Sequence, residues 1–329
     1  MGGDRAPEEV VAGARQAALE LGIPILLVGD PARLADLGVP PQVQVLAASE
    51  VIGMDEDPGR AVRNKRDASV VRCAEAVHDG LACAMVSAGN TGAAMASALL
   101  RMGRLPGVQR PAIATPIPVP GSTPTVLIDA GANADCTPAV LVQFAQMGRA
   151  LATERFGIAE PRVGLLSIGE EAAKGTGLVK EAHVLLAGGA AGPDVKFIGN
   201  VEGRDVMSDR VDVVVTDGFT GNVVLKTLEG CVKAVVGGLV SALSANEEVR
   251  QGAKAVMPAL SSLASELDPD TYGGAVLLGV NGVCVISHGS SGARAIVNAV
   301  KVAHHAVTEK LVAKVDAIVG RETADRSAG

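Results

Sequence analysis

The sequence predicts an α/β fold whose centre is a doubly wound, mostly parallel β-sheet. Short apolar runs rich in β-branched residues alternate with helical segments along most of the chain, as strands and helices do in such sheets. Many of the 40 glycines stand where an apolar run gives way to a helix. Aromatic residues make up only 2% of the chain, whereas apolar residues make up 48%. We therefore expect a core of Ala, Val and Leu, which suits helices packed closely on a sheet.

The predicted elements follow one another along the chain. A first helix is predicted from about Glu8. Apolar runs predict strands at residues 23–28, 42–47, 83–86, 125–128, 163–168, 195–198, 211–215 and 283–287. Helices are predicted at residues 67–79, 93–100 and 223–239. Because no linker and no internal repeat interrupts the pattern, we predict a single α/β domain over residues 1–329, which could be divided into two lobes.

The N-terminal residues depart from this alternation. Residues 1–7 predict a loop that leads into the first helix with no strand before it. In an α/β fold such a loop should follow a strand. We therefore expect that the true start of the chain lies upstream, in preference to a sheet that lacks an edge strand.

Residues 240–272 also interrupt the alternation and predict a protruding helical segment. Within it, residues 249–267 carry apolar side chains at helical spacing, interrupted by Pro258. The favoured interpretation is a pair of helices packed in a dimer interface. The alternative is a surface hairpin that contacts lipid. Since Arg250 and Lys254 are the only basic residues of residues 249–267, lipid contact would depend mainly on apolar burial.

Composition and charge argue against several classes of function. The formal net charge of −7 and the lack of a Lys/Arg cluster argue against a nucleic-acid partner. The five cysteines form no C-x-x-C and no Cys/His zinc motif, so we expect reduced thiols. No apolar run reaches the roughly 18 residues of a membrane-spanning helix, and no signal peptide is evident. We therefore predict a cytoplasmic protein.

The most informative segment is residues 211–226. Here an apolar strand ends in Asp217-Gly, and Thr220-Gly-Asn222 leads into an apolar helix. A strand, a glycine-bearing turn and a helix N-terminus form a ready anion site, because free N–H groups and the helix dipole point at the turn. Open α/β sheets also bind ligands at the carboxyl ends of their strands. Four similar loops occupy residues 87–92, 129–135, 169–175 and 287–292.

Established sequence fingerprints fail in these loops. No G-x-G-x-x-G follows an early strand, which argues against a dinucleotide site, and Lys174 precedes a glycine, so residues 169–175 lack the Walker A order. No G-x-S-x-G elbow or hydrolase-type histidine motif is present. Asp129, Asp135 and Asp217 could meet at the strand ends, but carboxylates there are as often helix caps. We expect no metal and no other cofactor.

The groups that remain suit a small anion. The loops supply backbone N–H groups, hydroxyls, amides and isolated cations. Each loop alone is ordinary turn chemistry, but five such loops, each after a buried strand, are hard to explain as turns only. Inorganic or organic phosphate is the natural ligand.

Taken in order, these loops resemble the PlsX family, the acyl-carrier-protein:phosphate acyltransferases of bacterial phospholipid synthesis. The resemblance runs from Met1 to about Val307 and is highly specific because so many motifs recur in order. The motifs are Met1-Gly-Gly-Asp4, Ser87-Ala-Gly-Asn-Thr-Gly92, Arg110-Pro-Ala, Asp129-Ala-Gly-Ala-Asn133, Gly169-Glu-Glu171, Lys174-Gly175, Phe197-Ile-Gly-Asn-Val-Glu-Gly-Arg204, residues 217–226, Tyr272-Gly-Gly-Ala and His288-Gly-Ser-Ser291.

The resemblance implies a fold, a reaction and partners. The implied fold is a three-layer α/β structure similar to isocitrate/isopropylmalate dehydrogenases and phosphotransacetylases. The implied protein is a cytoplasmic homodimer that associates peripherally with the membrane. Its implied reaction moves a fatty acyl group from acyl carrier protein to inorganic phosphate and gives acyl-phosphate for phospholipid synthesis.

Reaction chemistry and the resemblance together indicate two catalytic residues. Lys174 is expected to bind phosphate or to balance charge in the transition state. Asn222, near a helix N-terminus, is expected to donate its amide to phosphate or to the oxyanion, or to cap the helix. Substrate-binding roles are expected for Ser87, Asn90, Thr91, Asn133, Glu170, Asp217, Thr220, Lys226 and His288.

Three other functions stay open at this point. One is a phosphotransacetylase acting on short acyl-CoA. Another is a dehydrogenase of the isopropylmalate type, which the missing nucleotide fingerprint disfavours. The third is a non-catalytic membrane scaffold that binds acyl carrier protein without turnover.

Overall fold

A computed structural model of the chain describes residues 1–40 and 43–327. The helices are α1 (Glu8–Leu21), α2 (Pro31–Ala35), α3 (Pro58–Asn64), α4 (Ser69–His78), α5 (Thr91–Ser97), α6 (Pro138–Phe156), α7 (Gly177–Ala187), α8 (Gly218–Leu243), α9 (Glu247–Ala253), α10 (Met257–Leu267), α11 (Ala293–Thr308) and α12 (Leu311–Ser327). The strands are β1 (Ile25–Gly29), β2 (Val43–Ala47), β3 (Ala84–Ser87), β4 (Ala112–Ile117), β5 (Thr125–Ile128), β6 (Arg162–Leu166), β7 (Lys196–Val201), β8 (Val213–Val215), β9 (Ala275–Leu278) and β10 (Val283–Ile286).

The central sheet has eight strands in the order β3-β10-β9-β4-β5-β8-β6-β7. The pairs β3–β10, β5–β8, β8–β6 and β6–β7 are parallel, and the three pairs that involve β4 or β9 are antiparallel. The predicted mostly parallel sheet is therefore confirmed, as a mixed sheet. Two of its strands, β4 and β9, were missing from the sequence prediction.

The first two predicted strands lie outside this sheet. β1 and β2 pair only with each other, in parallel, as a small separate sheet. Gln42, the predicted first residue of the second strand, lies outside the described residues, as do positions 328 and 329 of the predicted domain. The loop at residues 1–7 packs against the main body, where the Asp4 N–H donates to the carbonyl oxygen of Gly289 at 2.9 Å.

Helices cover both faces of the central sheet and give three layers. Val126 and Ile128 of β5 face a core formed with α6, α7, α11 and α12. Leu127 faces the other core, which includes side chains of α4, of the π-helical segment Ala98–Met102 and of the first turns of α8. This alternation is what a strand with both faces buried requires. The predicted three-layer, doubly wound architecture is confirmed.

Strand register brings two groups of strand-end loops to the same level of the sheet. Ile128, the last residue of β5, pairs with Ala114 of β4, and Ala114 pairs with Val276 of β9. Val276 in turn pairs with Val285, near the end of β10. β5 and β10 run in opposite directions, yet their carboxyl ends therefore overlap. Loops from both halves of the sheet can consequently contribute to one site.

The predicted helical segment at residues 240–272 is present as the end of α8, α9, α10 and a short 3₁₀ helix at Pro269–Tyr272, whereas the helix predicted at residues 223–239 is longer than expected. α8 begins at Gly218, five residues before the predicted start, and Gly218 and Gly221 are its only buried residues. Pro258 stands in the first turn of α10, so it begins that helix instead of interrupting one. Among the helices of residues 1–40 and 43–327, none combines the length and the apolarity of a membrane-spanning helix.

Gly221 allows α8 to approach the end of β5. A Cβ atom at this position would lie 1.9 Å from the carbonyl oxygen of Asp129. Gly221→Ala should therefore lower the free energy of unfolding by at least about 2 kcal/mol, because backbone must move to make room. Denaturant unfolding measures the change.

Gly230→Ala is the matched control, since a Cβ atom there meets nothing within 4 Å in the same helix. This variant should gain about 0.5–1 kcal/mol, because Ala is the better helix former. Equal stability of the two variants would contradict the close approach of α8 to Asp129.

Candidate active site

The buried carboxylate of Asp129 organises the loop that follows β5. Its Oδ1 accepts from the backbone N–H groups of Ile113, Gly131 and Ala132 at 2.9–3.1 Å. Its Oδ2 accepts from the backbone N–H and the side-chain amide of Asn133 at 2.8 and 2.9 Å. Burial raises the pKa of Asp129, and these donors oppose that shift. The carboxylate is fully engaged within the protein and is not available to a ligand.

Asn133 connects this loop to its neighbours. Its side-chain amide also donates to the carbonyl oxygen of Pro111 at 2.8 Å. Its backbone carbonyl accepts from the N–H of Gly218, the first residue of α8, at 2.7 Å. Both amide hydrogens of Asn133 are therefore used inside the protein, which places this predicted substrate-binding residue in the support of the site.

The first turn of α8 is capped by Asp217. The Asp217 carboxylate accepts from the backbone N–H and the hydroxyl of Thr220, each at 2.8 Å. Asn222 lies one turn further into the helix and is exposed, and its amide donates to the carbonyl oxygen of Ala130 at 3.3 Å. The expectation that Asn222 could be the helix cap is wrong, because Asp217 occupies that position.

The loop after β3 is also held by capping. Asn90 accepts from the Ala93 N–H at 3.0 Å as the cap of α5, and its amide donates to carbonyl oxygens of residues 53, 54 and 56. Ser87 Oγ accepts from the N–H of Gly89 at 3.3 Å. Thr91, the first residue of α5, is exposed.

Lys174 lies in the loop that follows β6, and β6 is the strand that pairs with β8. The backbone of this loop is braced by the buried Asn200, whose amide donates to the carbonyl oxygen of Glu171 at 2.9 Å. Glu170 pairs with Arg210 at 2.6 Å on the surface. Lys174 is exposed, and its ammonium group makes no hydrogen bond or ion pair with any other residue of 1–40 and 43–327. It is therefore free to meet an anion.

Lys226, Glu229 and His288 form a charged cluster that joins α8 to the loop after β10. Lys226 Nζ lies 2.9 Å and His288 Nε2 lies 3.1 Å from the two carboxylate oxygens of Glu229. Burial disfavours ionisation of Glu229, but these two contacts outweigh it and lower the pKa. Sequence reasoning missed Glu229, although its i,i+3 spacing from Lys226 on a helix was visible.

A pocket of about 100 Å³ with both polar and apolar side chains in its wall lies where the overlapping strand ends meet, and we name it the polar pocket after its hydroxyl and amide groups. Its wall includes Thr91, Thr115, Asn222 and Ser287. The Ser287 hydroxyl is buried and has no hydrogen-bond partner among the described residues. Buried polar groups are normally paired, so this hydroxyl leaves one hydrogen-bonding group in the wall of the pocket that no other described residue satisfies.

An outer cleft of about 670 Å³ adjoins the polar pocket. Its wall is largely apolar and comes from the end of β4, from α8 and from the end of α10. The two spaces share Lys226, Glu229, Asp270 and His288 at their junction. Burial, aided by the charge of Asp268, raises the pKa of Asp270. The cleft can thus receive an elongated molecule with a polar group at one end and an apolar chain at the other.

The structure brings some of the predicted residues together and leaves others apart. Those that line the polar pocket are Thr91, Asn222, Lys226 and His288. Those outside its wall are Ser87, Asn90, Asn133, Glu170, Lys174, Asp217 and Thr220. Within residues 1–40 and 43–327, no group of three or more His, Cys, Asp or Glu side chains could hold a metal ion.

The α/β fold of this chain is also found in solved phosphotransacetylases. A solved phosphotransacetylase from Streptococcus pyogenes superposes with a TM-score of 0.61 over 92% of each chain at 18% sequence identity, which shows the shared fold. Residues 1–314 match the family described as fatty acid synthesis protein. The chain therefore belongs to that family, and the predicted membership of the PlsX family is confirmed.

Curated relatives agree with this assignment. A phosphate acyltransferase of Heliobacterium modesticaldum is 48% identical over 322 residues, which cover 96% of this chain and 94% of the relative. A phosphate acyltransferase of Nostoc punctiforme is 46% identical over 331 residues, which cover 98% and 96%. The predictions of an enzyme and of the transferase class are confirmed.

Proposed function

We propose that this protein transfers a fatty acyl group from acyl carrier protein to inorganic phosphate. The observation that carries the proposal is the continuity of the polar pocket with the apolar outer cleft. Phosphate fits the first space, whose wall includes the unpaired Ser287 hydroxyl, the exposed Asn222 amide and the Lys226 ammonium group. A fatty acyl chain fits the second, and the thioester would lie at their junction.

The reaction needs positioning more than it needs a base. Inorganic phosphate is already partly a dianion at neutral pH, since even its esters have a second pKa of about 6. One phosphate oxygen attacks the thioester carbonyl carbon, the carbon–sulfur bond breaks, and its electron pair leaves with the carrier thiolate. That thiolate takes up a proton, because thiol pKa values lie near 8.5. Holding phosphate in line with the carbonyl can lower the barrier by roughly 7–11 kcal/mol.

Lys174 and Asn222 are the residues to which we assign catalysis. Asn222 offers a side-chain amide at the wall of the polar pocket, where it can donate to phosphate or to the oxyanion. Lys174 offers an exposed ammonium group on the loop after β6, which pairs with the strand that leads into α8, and no ion pair joins it to another described residue. Lys226 differs, because Glu229 already engages it.

The remaining predicted residues divide by position. Thr91, Lys226 and His288 line the polar pocket and are proposed to contact substrate, together with Ser287. The others are proposed to support the site through the hydrogen bonds and ion pairs that they make inside the protein. These are Ser87, Asn90, Asn133, Glu170, Asp217 and Thr220.

Alanine substitution of the two assigned residues tests the catalytic proposal. Lys174→Ala and Asn222→Ala should each lower the rate of acyl-phosphate formation from long-chain acyl carrier protein by about 100-fold or more, since each oxyanion donor is typically worth about 10²–10³ in rate. Lys180→Ala removes another exposed lysine nearby and should stay at the wild-type rate. Near wild-type rates for both assigned variants, with the fold retained by circular dichroism, would refute these roles. Thiol release from acetyl-CoA in the same assay, compared with release from long-chain acyl carrier protein, tests the alternative of a short-chain phosphotransacetylase, which would prefer acetyl-CoA.

We further propose a cytoplasmic homodimer that contacts the membrane peripherally through residues 249–267. Val249 of α9, Val256 in the turn before α10 and Leu263 of α10 are between 38% and 48% exposed. Val256, Leu260 and Leu263 follow the i,i+4,i+7 spacing of one helix face. An apolar face of this kind suits either a second copy of the chain or a lipid surface.

Acidic substitutions on this apolar face distinguish contact with lipid from contact with a second copy of the chain. Val256→Asp and Leu263→Asp should lower vesicle co-sedimentation several-fold if the face contacts lipid, and should convert dimers to monomers in light scattering if it forms the interface. Ser262→Asp adds the same charge at an exposed polar position of α10 and should change neither. If both readouts are unchanged in the two apolar variants, residues 249–267 serve neither purpose.

A further inference from the structure

One face of α8 runs from the polar pocket along the outer cleft. Asn222 lines the polar pocket, Glu229 lies at the junction, and Val232 and Val236 line only the outer cleft. Spacings of three, four and seven residues place these side chains on one side of a helix. The helix therefore extends from the proposed phosphate site along the proposed acyl site.

The far part of this face meets apolar surroundings. Val232 and Val236 are half-buried, and the opposite walls of the cleft include Ile117 and Pro118 of the β4 end and Leu267 of α10. The neighbouring Val235 is 69% exposed and does not line the cleft. Two valines one turn apart thus point into the cleft, while the valine between them in sequence points to solvent.

We propose that Val232 and Val236 determine how long an acyl chain the enzyme accepts. The proposal rests on the proposed acyl transfer, with the thioester carbonyl near Lys226. Because Val232 and Val236 lie six and ten residues beyond Lys226, they are roughly 9 and 15 Å along the helix at 1.5 Å per residue. An extended chain advances about 1.3 Å per carbon, since its bonds of about 1.5 Å zigzag, so these levels correspond to about seven and twelve carbons.

Phenylalanine at either valine should shorten the accepted chain. Val236→Phe should keep wild-type kcat/KM for eight-carbon acyl carrier protein. For sixteen carbons it should lose roughly 250-fold, because about four methylenes beyond the level of Val236 are displaced at about fourfold each. Val232→Phe should lose activity at a chain about five carbons shorter, because the two valines are four residues, or about 6 Å, apart along the helix. The readout is phosphate-dependent thiol release with acyl carrier protein loaded with chains of six to sixteen carbons.

Val235→Phe is the matched control and should keep the wild-type chain-length profile. The proposal is overturned if both cleft variants keep the wild-type profile, or if Val235→Phe shifts the profile as much as they do. If Val232→Phe does not fold, a comparison of the chain-length profiles of Val236→Phe and Val235→Phe still tests the proposal. A wild-type protein that releases no thiol from any acyl carrier protein would instead refute the proposed function, so the two failures are distinguishable.

Discussion

The site depends on one buried carboxylate and the five N–H groups that surround it. Asp129 ties the start of β4, the loop after β5 and, through Asn133, the first residue of α8 into one unit. An ionised carboxylate can be buried at acceptable cost only when such donors replace its lost water. Because Gly221 then approaches within van der Waals distance of the same backbone, the position of Asn222 follows from this arrangement.

The position of α8 in turn explains how one element serves two substrate regions. Its first turns, fixed by Asp129 and Gly221, form part of the wall of the polar pocket. Its middle turns lie along the outer cleft, and beyond Gly221 the helix has no buried residue. One helix, anchored at its N-terminal end, thus connects the proposed phosphate and acyl sites, and Glu229 lies between them in contact with Lys226 and His288.

Much of the fold could be predicted from the sequence, because buried parallel strands and their glycine-bearing turns leave a strong local pattern. β4 could not, since Pro116 within a short apolar run argues against a strand. β4 and β9 also pair with strands distant in sequence, and no local pattern reports such pairing.

The loops that form the candidate site could be predicted from the sequence, but which of their residues face a ligand and which support the site could not. The Asp217 carboxylate and the Asn133 amide are as suitable for a polar ligand in the sequence as the Asn222 amide, and only their hydrogen-bond partners show that they are engaged inside the protein. The contact of Glu229 with His288 joins residues far apart in the chain and left no sequence signal. The buried, unpaired hydroxyl of Ser287 became evident only when its surroundings were known.

The central claim is that phosphate enters the polar pocket and accepts the acyl group there. The most direct measurement follows isotope-labelled inorganic phosphate into product during turnover of long-chain acyl carrier protein. The account predicts labelled acyl-phosphate in equal amount to released thiol, with thiol release that saturates with phosphate and stops without it. Thiol release that continues unchanged without phosphate and yields free fatty acid would contradict it.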